Sequence, residues 1–277
     1  METLIPLRLS ILGHPQRLAV FRLLMRRYPD QVPAGEIAAA LDVKPSTLSS
    51  YLSALMQAGL VTQTREGTWL YYQADMQGIR DTLDALLLDC CRGRPELCLP
   101  NQPTSDLRNG SLANPCYNVL FICTGNSARS IFAETLLRSI GGARFNVHSA
   151  GTKPSSELNP FALDVLRSKG HDVDSLRAKN ISEFTGETAP KFDFVFTVCD
   201  QAANEECPAW DGQPISGHWG MPDPVKAEGT DAEKSLSFQQ AYGSLKNRIQ
   251  AFASLPIGEL DRVSLQKAVD DIALQHR

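Results

Sequence analysis

Val119-Leu120-Phe121-Ile122-Cys123-Thr124-Gly125-Asn126-Ser127-Ala128-Arg129-Ser130 decides how the second half of the chain folds, and the run Ile131 to Ile140 follows it at helical spacing. Four apolar residues ending in a cysteine predict a buried strand, Gly125-Asn126-Ser127 a tight turn, and Arg129-Ser130 the opening of a helix. Strand, turn and helix N-terminus in that order make a cradle for a tetrahedral oxyanion. Thr124, Gly125, Asn126, Ser127, Ala128, Arg129 and Ser130 form the candidate binding loop: its N–H groups converge, the helix dipole adds partial positive charge, and the Arg129 guanidinium offers paired donors. The same field favours a thiolate at Cys123, which makes the residue touching the anion a nucleophile as well. Gly125 and Asn126 suit positive φ, and Ser130 is placed to donate to the sulfur. A buried strand cysteine before an ordinary turn is the plainer alternative. The strand context and the Arg-Ser pair at the helix start argue against it.

Downstream, Phe145 to Thr152 predicts a strand, Asn159 to Lys169 a helix, and Phe192 to Val198 a strongly buried strand. Alternation of this kind predicts a parallel sheet with helices on both faces and a site at the C-terminal strand ends. Cys123 and Cys199 both stand at such ends. Cys207 follows Cys199 after seven intervening residues, and Val263 to Gln275 predicts a closing helix.

Cys-x5-Arg-Ser near the start of a domain resembles the low-molecular-weight tyrosine phosphatase fold, and the form Cys-Thr-Gly-Asn-Ser-x-Arg-Ser is most similar to the arsenate reductases built on it. The resemblance implies an α/β three-layer domain with a central parallel sheet over 117–260, with 261–277 as a tail or helix. It also implies a thiol relay. Cys123 attacks arsenate, Cys199 attacks Cys123 and arsenite leaves, and Cys207 attacks Cys199 to carry the disulfide outward. The external reductant would be thioredoxin, or a glutaredoxin or low-molecular-weight thiol system, with no tightly bound cofactor. Asp223, in His218-Trp219-Gly220-Met221-Pro222-Asp223-Pro224, matches the Asp-Pro of the fold's acid loop and would protonate the leaving oxygen. Two departures stand out: Ala128 replaces a cysteine that many relatives carry, and the spacing of the cysteine pair varies among them. A tyrosine phosphatase would use the same Cys123, Arg129 and Asp223 without redox chemistry. Against it, Val225-Lys226 follow Asp223-Pro224 where those phosphatases usually carry tyrosines.

At 277 residues the chain has room for two domains, each with its own core. No apolar run approaches the roughly 20 residues of a membrane helix, and Met-Glu-Thr-Leu-Ile-Pro lacks a basic signal-peptide head, so a cytoplasmic location without membrane attachment is expected. The net charge of -4 is uneven: the segment through Cys98 has equal numbers of acids and bases, so the deficit lies in the remainder. Any binding of nucleic acid must use a local basic face of the N-terminal half. Seven cysteines (90, 91, 98, 116, 123, 199 and 207) read better as reactive or metal-binding thiols than as a disulfide framework. Cys116 has no assigned role.

Residues 1–99 carry a second pattern. Leu4 to Leu12 and Pro15 to Arg27 predict two helices, Ala34 to Leu41 a short third, and Pro45 to Ala58 a fourth with Leu48, Leu52, Leu55 and Met56 inward. The last two have helix-turn-helix spacing, and Ser46, Thr47, Ser49, Ser50 and Tyr51 on the outer face can approach bases and phosphates. Gly59 to Arg65 and Thr68 to Gln73 alternate around Glu66-Gly67 as a hairpin wing with Arg65 near its tip. The result is a winged helix-turn-helix, mostly α with a β-hairpin. Leu12-Gly13-His14-Pro15-Gln16-Arg17-Leu18, Leu55 to Val61 and Arg65 to Tyr72 resemble the ArsR/SmtB repressors. That resemblance implies a homodimer on double-stranded operator DNA that lets go when a soft metal or metalloid binds.

Asp75 to Asp89 predicts one more helix, with Ile79, Leu83, Leu86 and Leu87 as a stripe that pairs across the dimer in such repressors. It runs into Cys90, Cys91 and Cys98. Three thiolates without histidine or carboxylate suit As(III) or Sb(III) better than Zn(II), which usually takes four ligands. Residues 100–116, with Pro, Asn, Gly and Ser throughout, predict a linker. The two halves share one chemistry, because arsenite, the product of the second, is the ion the triad suits. A repressor whose second domain binds the anion without turnover is the rival from another class.

Overall fold

A computed structural model describes residues 4–90, 116–186, 189–205, 210 and 212–275. Cys91, Cys98 and Cys207, and with them most of the 100–116 linker, lie outside the described residues. The chain divides into two compact units, Met1–Gly110 and Ser111–Arg277.

The first unit opens with helices α1 (Leu4–Leu12) and α2 (Pro15–Arg27), the latter with Pro15 in its first turn, where a missing N–H costs nothing. A two-residue strand β1 (Val32–Pro33) leads into α3 (Ala34–Leu41) and α4 (Pro45–Gln57). Strands β2 (Val61–Glu66) and β3 (Trp69–Ala74) pair antiparallel with Glu66 opposite Trp69, and Gly67 at φ 61 turns the hairpin. β1 adds to the far edge of β3, a contact the alternation pattern does not reveal. Leu48, Leu52 and Leu55 of α4 are buried with Ile37, Leu23 and Leu24, as the helical spacing requires, whereas Met56 is only half-buried. α5 (Met76–Ala85) is capped by Asp75, whose Oδ1 accepts the N–H groups of Gln77 and Gly78, and it continues as a π-turn over Leu86–Cys90. The unit is a winged helix-turn-helix.

The second unit is built on a four-stranded parallel sheet in the order β5-β4-β6-β7: β4 is Tyr117–Cys123, β5 Phe145–Gly151, β6 Phe194–Thr197 and β7 Ile215–His218. Val119, Leu120, Phe121 and Ile122 are all fully buried, which explains a continuous apolar run in place of alternation. Helix α6 (Arg129–Gly141) follows β4, α7 (Pro160–Ser168) follows β5 with Asn159 as its cap, and the five-residue α8 (Asp200–Asn204) follows β6. Chain order moves from β4 outward to β5 and then back across β4 to β6, so the switch point of the sheet lies where β4 and β6 end. Cys123 and Cys199 stand at those two ends.

Two further helices close the unit. α9 (Asp231–Ala253) starts in a capping box between Thr230 and Glu233 and lays Phe238, Leu245, Ile249 and Phe252 into the core. α10 (Arg262–Gln275) is the closing helix expected near the end, and Leu265, Val269, Ile272 and Ala273 bury it against the same core, where it packs on β7. Phe121, Phe196 and Trp219 stack beneath the site, with the Phe196 and Trp219 rings 4.1 Å apart. Burying an aromatic ring of this kind contributes about 2–3 kcal/mol. No helix among the described residues is long and apolar enough to cross a membrane.

Asp270 of α10 is partly buried, and loss of solvation raises its carboxyl pKa to about 6. Its folded pKa exceeds the unfolded value, so the charged form is the one the fold disfavours. That penalty is absent below pH 4 and sets in as pH rises through about 6. Asp270→Asn is therefore expected to stabilise the second unit above pH 6 by about 1–2 kcal/mol, discounted for its remaining exposure, and to have little effect near pH 4. Thermal unfolding at the two pH values checks this.

Candidate active site

The loop from Cys123 to Ser130 is held by its carbonyls. The oxygens of Cys123, Thr124, Gly125 and Ser127 accept the backbone N–H groups of Thr152 (3.1 Å), Lys153 (2.9 Å), Ser155 (2.8 Å) and Asn159 (3.0 Å), all from the segment that follows β5. In a trans peptide the N–H opposes the C=O. With those carbonyls tied outward, the N–H groups of Thr124, Gly125, Asn126 and Ala128 face the interior of the loop. Asn126 shows the result directly: its N–H lies 3.0 Å from Cys123 Sγ. Gly151 permits this packing, since a Cβ there would stand 2.6 Å from the Thr124 carbonyl oxygen.

Asn126 is the interior strut. It is fully buried and takes φ 44, the left-handed region that asparagine tolerates. Its Nδ2 donates to Ser130 Oγ (2.9 Å) and Ser149 Oγ (2.8 Å), and its Oδ1 accepts the Lys179 N–H (2.7 Å). Ser149 donates to Glu134 Oε2 (2.5 Å), and buried Glu134 is paired with Lys179 Nζ (2.9 Å) and with Arg138 (2.6 Å). Asn126, Ser130, Ser149, Glu134 and Lys179 are thus joined in one hydrogen-bonded network, as buried polar groups must be. Ser149, Glu134 and Lys179 were not singled out from the sequence, where they are isolated polar residues in separate elements.

Cys123 is 4 % exposed, with Ser130 Oγ 2.9 Å from its sulfur as expected. One expectation needs correction. Burial, and after it the neighbouring Cys199 thiol, push the Cys123 thiol up, and together they outweigh the opposing pull of Ser130, the Asn126 N–H and Arg129. Desolvation thus opposes the stabilisation that the field of the loop gives a thiolate at Cys123. Cys199 is also buried, at 2 % exposure, and its sulfur meets the Thr124 hydroxyl and the Ala202 N–H, each at 3.4 Å. Cys123 and Cys199 are thus neighbours at the switch point.

Arg129 and Asp223 meet across the mouth of the loop, Nη2 to Oδ2 at 2.9 Å, while Arg129 Nη1 donates to the Met221 carbonyl at 3.1 Å. Asp223 also caps the short turn Pro224–Lys226 by accepting the Val225 N–H. The approach to Asp223 is anchored from behind by buried Arg248 of α9, which donates to the carbonyls of Trp219 (2.8 Å) and Gly220 (3.2 Å). Cys123, Arg129, Asp223 and Cys199 are thereby brought together, while Cys207 lies outside the described residues.

In the first unit, Ser46, Ser49 and Ser50 are exposed on α4, whereas Thr47 and Tyr51 are half-buried and the Tyr51 ring lies 5.4 Å from that of His14. Arg65 is exposed on β2, with its Nε folded onto the Gly67 carbonyl at 3.0 Å. Of the cysteine triad, Cys90 is exposed at the end of the π-turn, and Cys91 and Cys98 lie outside the described residues. Within the expected α5 stripe Leu83 is exposed and Ile79 packs partly on the core.

A thiol held above its usual value gains reactivity as pH rises. Iodoacetamide modification of Cys123 in the anion-free protein, followed by mass spectrometry, is expected to keep accelerating past pH 9. Ser130→Ala removes a group that favours the thiolate and slows modification at neutral pH by about threefold to tenfold. A rate that levels off near neutrality in the unsubstituted protein contradicts this account.

Both units of the chain resemble known proteins. Residues 118–268 match the model of the low molecular weight phosphotyrosine protein phosphatases, and residues 12–64 match a helix-turn-helix domain. An arsenate reductase of Oceanobacillus iheyensis is 37% identical over 135 residues, covering 49% of this chain and 94% of that protein. One of Bacillus subtilis is 35% identical over the same length and shares of the two chains. Among solved structures, an arsenate reductase from Archaeoglobus fulgidus aligns over 50% of this chain and 99% of its own at 20% identity, with a TM-score of 0.41. Through its second unit the chain belongs to the low molecular weight phosphotyrosine protein phosphatase family, among the arsenate reductases, and it carries a helix-turn-helix domain ahead of that unit.

Proposed function

We propose that the second unit reduces arsenate to arsenite through a relay of Cys123, Cys199 and Cys207, and that the first is an arsenite-responsive repressor. The observation that carries the reductase reading is the placement of two buried thiols side by side at the end of the sheet, one inside the oxyanion loop and one beside it. A hydrolytic phosphatase has no need of the second thiol.

The inward N–H groups and Arg129 would hold arsenate with its arsenic before Cys123 Sγ. As the anion takes up the Arg129 donors, the Asp223 carboxyl is released from Arg129 to face the departing oxygen. Protonated Asp223 then gives its proton to the departing oxygen. The sulfur–arsenic bond forms, the thiol and Asp223 protons leave with that oxygen as water, and the ionised Asp223 is available for the next cycle. Next the Cys199 sulfur attacks Cys123 Sγ. A disulfide forms, the sulfur–arsenic bond breaks, its electron pair stays on arsenic, and As(III) leaves as arsenite with the Cys199 proton on oxygen. A disulfide between two residues as buried as these is out of reach of a protein reductant. Cys207 attacks Cys199 and moves the disulfide outward, where a dithiol such as thioredoxin reopens it.

Arsenite release by the purified protein with thioredoxin, thioredoxin reductase and NADPH tests this reading. Loss of turnover in each of Cys123→Ser, Cys199→Ser and Cys207→Ser is expected, by at least about a thousandfold for Cys123. Hydrolysis of p-nitrophenyl phosphate that needs Cys123 alone, with no arsenite made, would indicate a phosphatase instead.

For the first unit, the exposed hydroxyls of α4, the Arg65 wing and the exposed Cys90 support a winged-helix repressor that binds operator DNA as a homodimer and releases it when Cys90, Cys91 and Cys98 take As(III) or Sb(III). Fluorescence anisotropy with DNA from upstream of its own gene is expected to show release by arsenite in the unsubstituted protein and none in Cys90→Ser. Release that persists in Cys90→Ser contradicts the triad.

A further inference from the structure

Asp200, the first residue of α8, sits directly after Cys199, and its carboxylate is not left to solvent. Oδ1 accepts from His218 Nε2 at 3.1 Å, although the Asp200 side chain is 49% exposed. His218 ends β7 and is buried, and its other ring nitrogen, Nδ1, lies 2.8 Å from Thr197 Oγ1. Thr197 ends β6 directly opposite His218, and its carbonyl also accepts the Trp219 N–H at 2.8 Å. An ionised carboxylate only accepts, so His218 Nε2 carries the proton in its contact with Asp200. The imidazole is thus oriented by β6 and β7 and directed at the first turn of α8. Gly220 completes the arrangement, since a Cβ there would stand 2.5 Å from Asp200 Oδ1 and 2.6 Å from His218 Nε2.

A five-residue helix has little stability of its own. α8 also carries the cap residue whose sulfur must face the oxyanion loop. We propose that His218, acting through Asp200, is a positioning residue for Cys199: it pins the first turn of α8 so that the Cys199 sulfur stays beside Thr124 and Cys123. This rests on the thiol-relay reading above and assigns His218 and Asp200 to its second step. In that step the Cys199 sulfur bonds to Cys123 Sγ, the sulfur–arsenic bond breaks with its electron pair on arsenic, and the Cys199 proton leaves on arsenite. Arsenate binding and formation of the first adduct involve Cys123, Arg129 and Asp223 and do not depend on this pair.

The test uses the full chain in a Cys207→Ser background, where the relay stops at the Cys123–Cys199 disulfide and each chain releases a single arsenite. Adding Asp200→Ala is expected to slow that release about tenfold, with no change in the arsenate concentration giving half-maximal rate or in the thermal midpoint. Asp200→Asn keeps an acceptor oxygen for Nε2 without the charge, and it is expected to stay within about twofold of the parent. Release as fast in Asp200→Ala as in the parent overturns the positioning role and leaves the relay standing. Equal slowing in Asp200→Asn and Asp200→Ala overturns it in favour of a charge effect. If the parent itself releases no arsenite, the relay falls and this assignment falls with it.

Discussion

Four carbonyls fastened outward set the character of the second unit. The backbone cannot expose its N–H groups to an anion while its carbonyl oxygens crowd the same space, and the bonds from Thr152, Lys153, Ser155 and Asn159 remove that conflict. The segment after β5 is therefore as much a part of the cradle as the loop itself. It can come so close because Gly151 has no side chain, and the left-handed turn at Asn126 is held from within by Ser130, Ser149 and Lys179. An unpaired group anywhere in this network would cost about 1–3 kcal/mol, which explains why it runs on as far as the Glu134 ion pairs.

Burial then bears on the proposed redox chemistry. Placing Cys123 and Cys199 beneath the surface raises the Cys123 thiol above its ordinary value. On the proposed mechanism the nucleophile is released when an oxyanion arrives that can accept the thiol proton, so a resting site stays unreactive. On that mechanism the same burial is why a third thiol is needed before a protein reductant can reopen the disulfide. Positions that seem remote from the chemistry, such as Arg248 behind the acid loop and His218 at the end of β7, serve to hold short and otherwise unstable segments in place.

Much of this architecture was legible in the residues. Val119 to Ser130 gave strand, loop and helix start, because a continuous apolar run, a Gly-Asn turn and an arginine each have one plain structural meaning there. The helix-turn-helix and its hairpin were equally clear from periodicity. Other parts were not. β1 is two residues long, and β7 is Ile215-Ser216-Gly217-His218, with no apolar run to signal a strand. The 23-residue α9 has a legible start in Thr230-x-x-Glu233 and a legible core face in Phe238, Leu245, Ile249 and Phe252, but nothing in its sequence ties it to the site that Arg248 supports. The state of Cys123 could not be read at all: charges can be counted in a sequence, but desolvation depends on what the fold lays over the sulfur.

The measurement that bears most directly on the central claim is disulfide mapping after one equivalent of arsenate has been added to the reduced protein in the absence of any other reductant. The account predicts a Cys199–Cys207 disulfide, a free Cys123 thiol and one equivalent of arsenite in solution. Unchanged thiols at Cys199 and Cys207, with arsenate recovered intact, would contradict it.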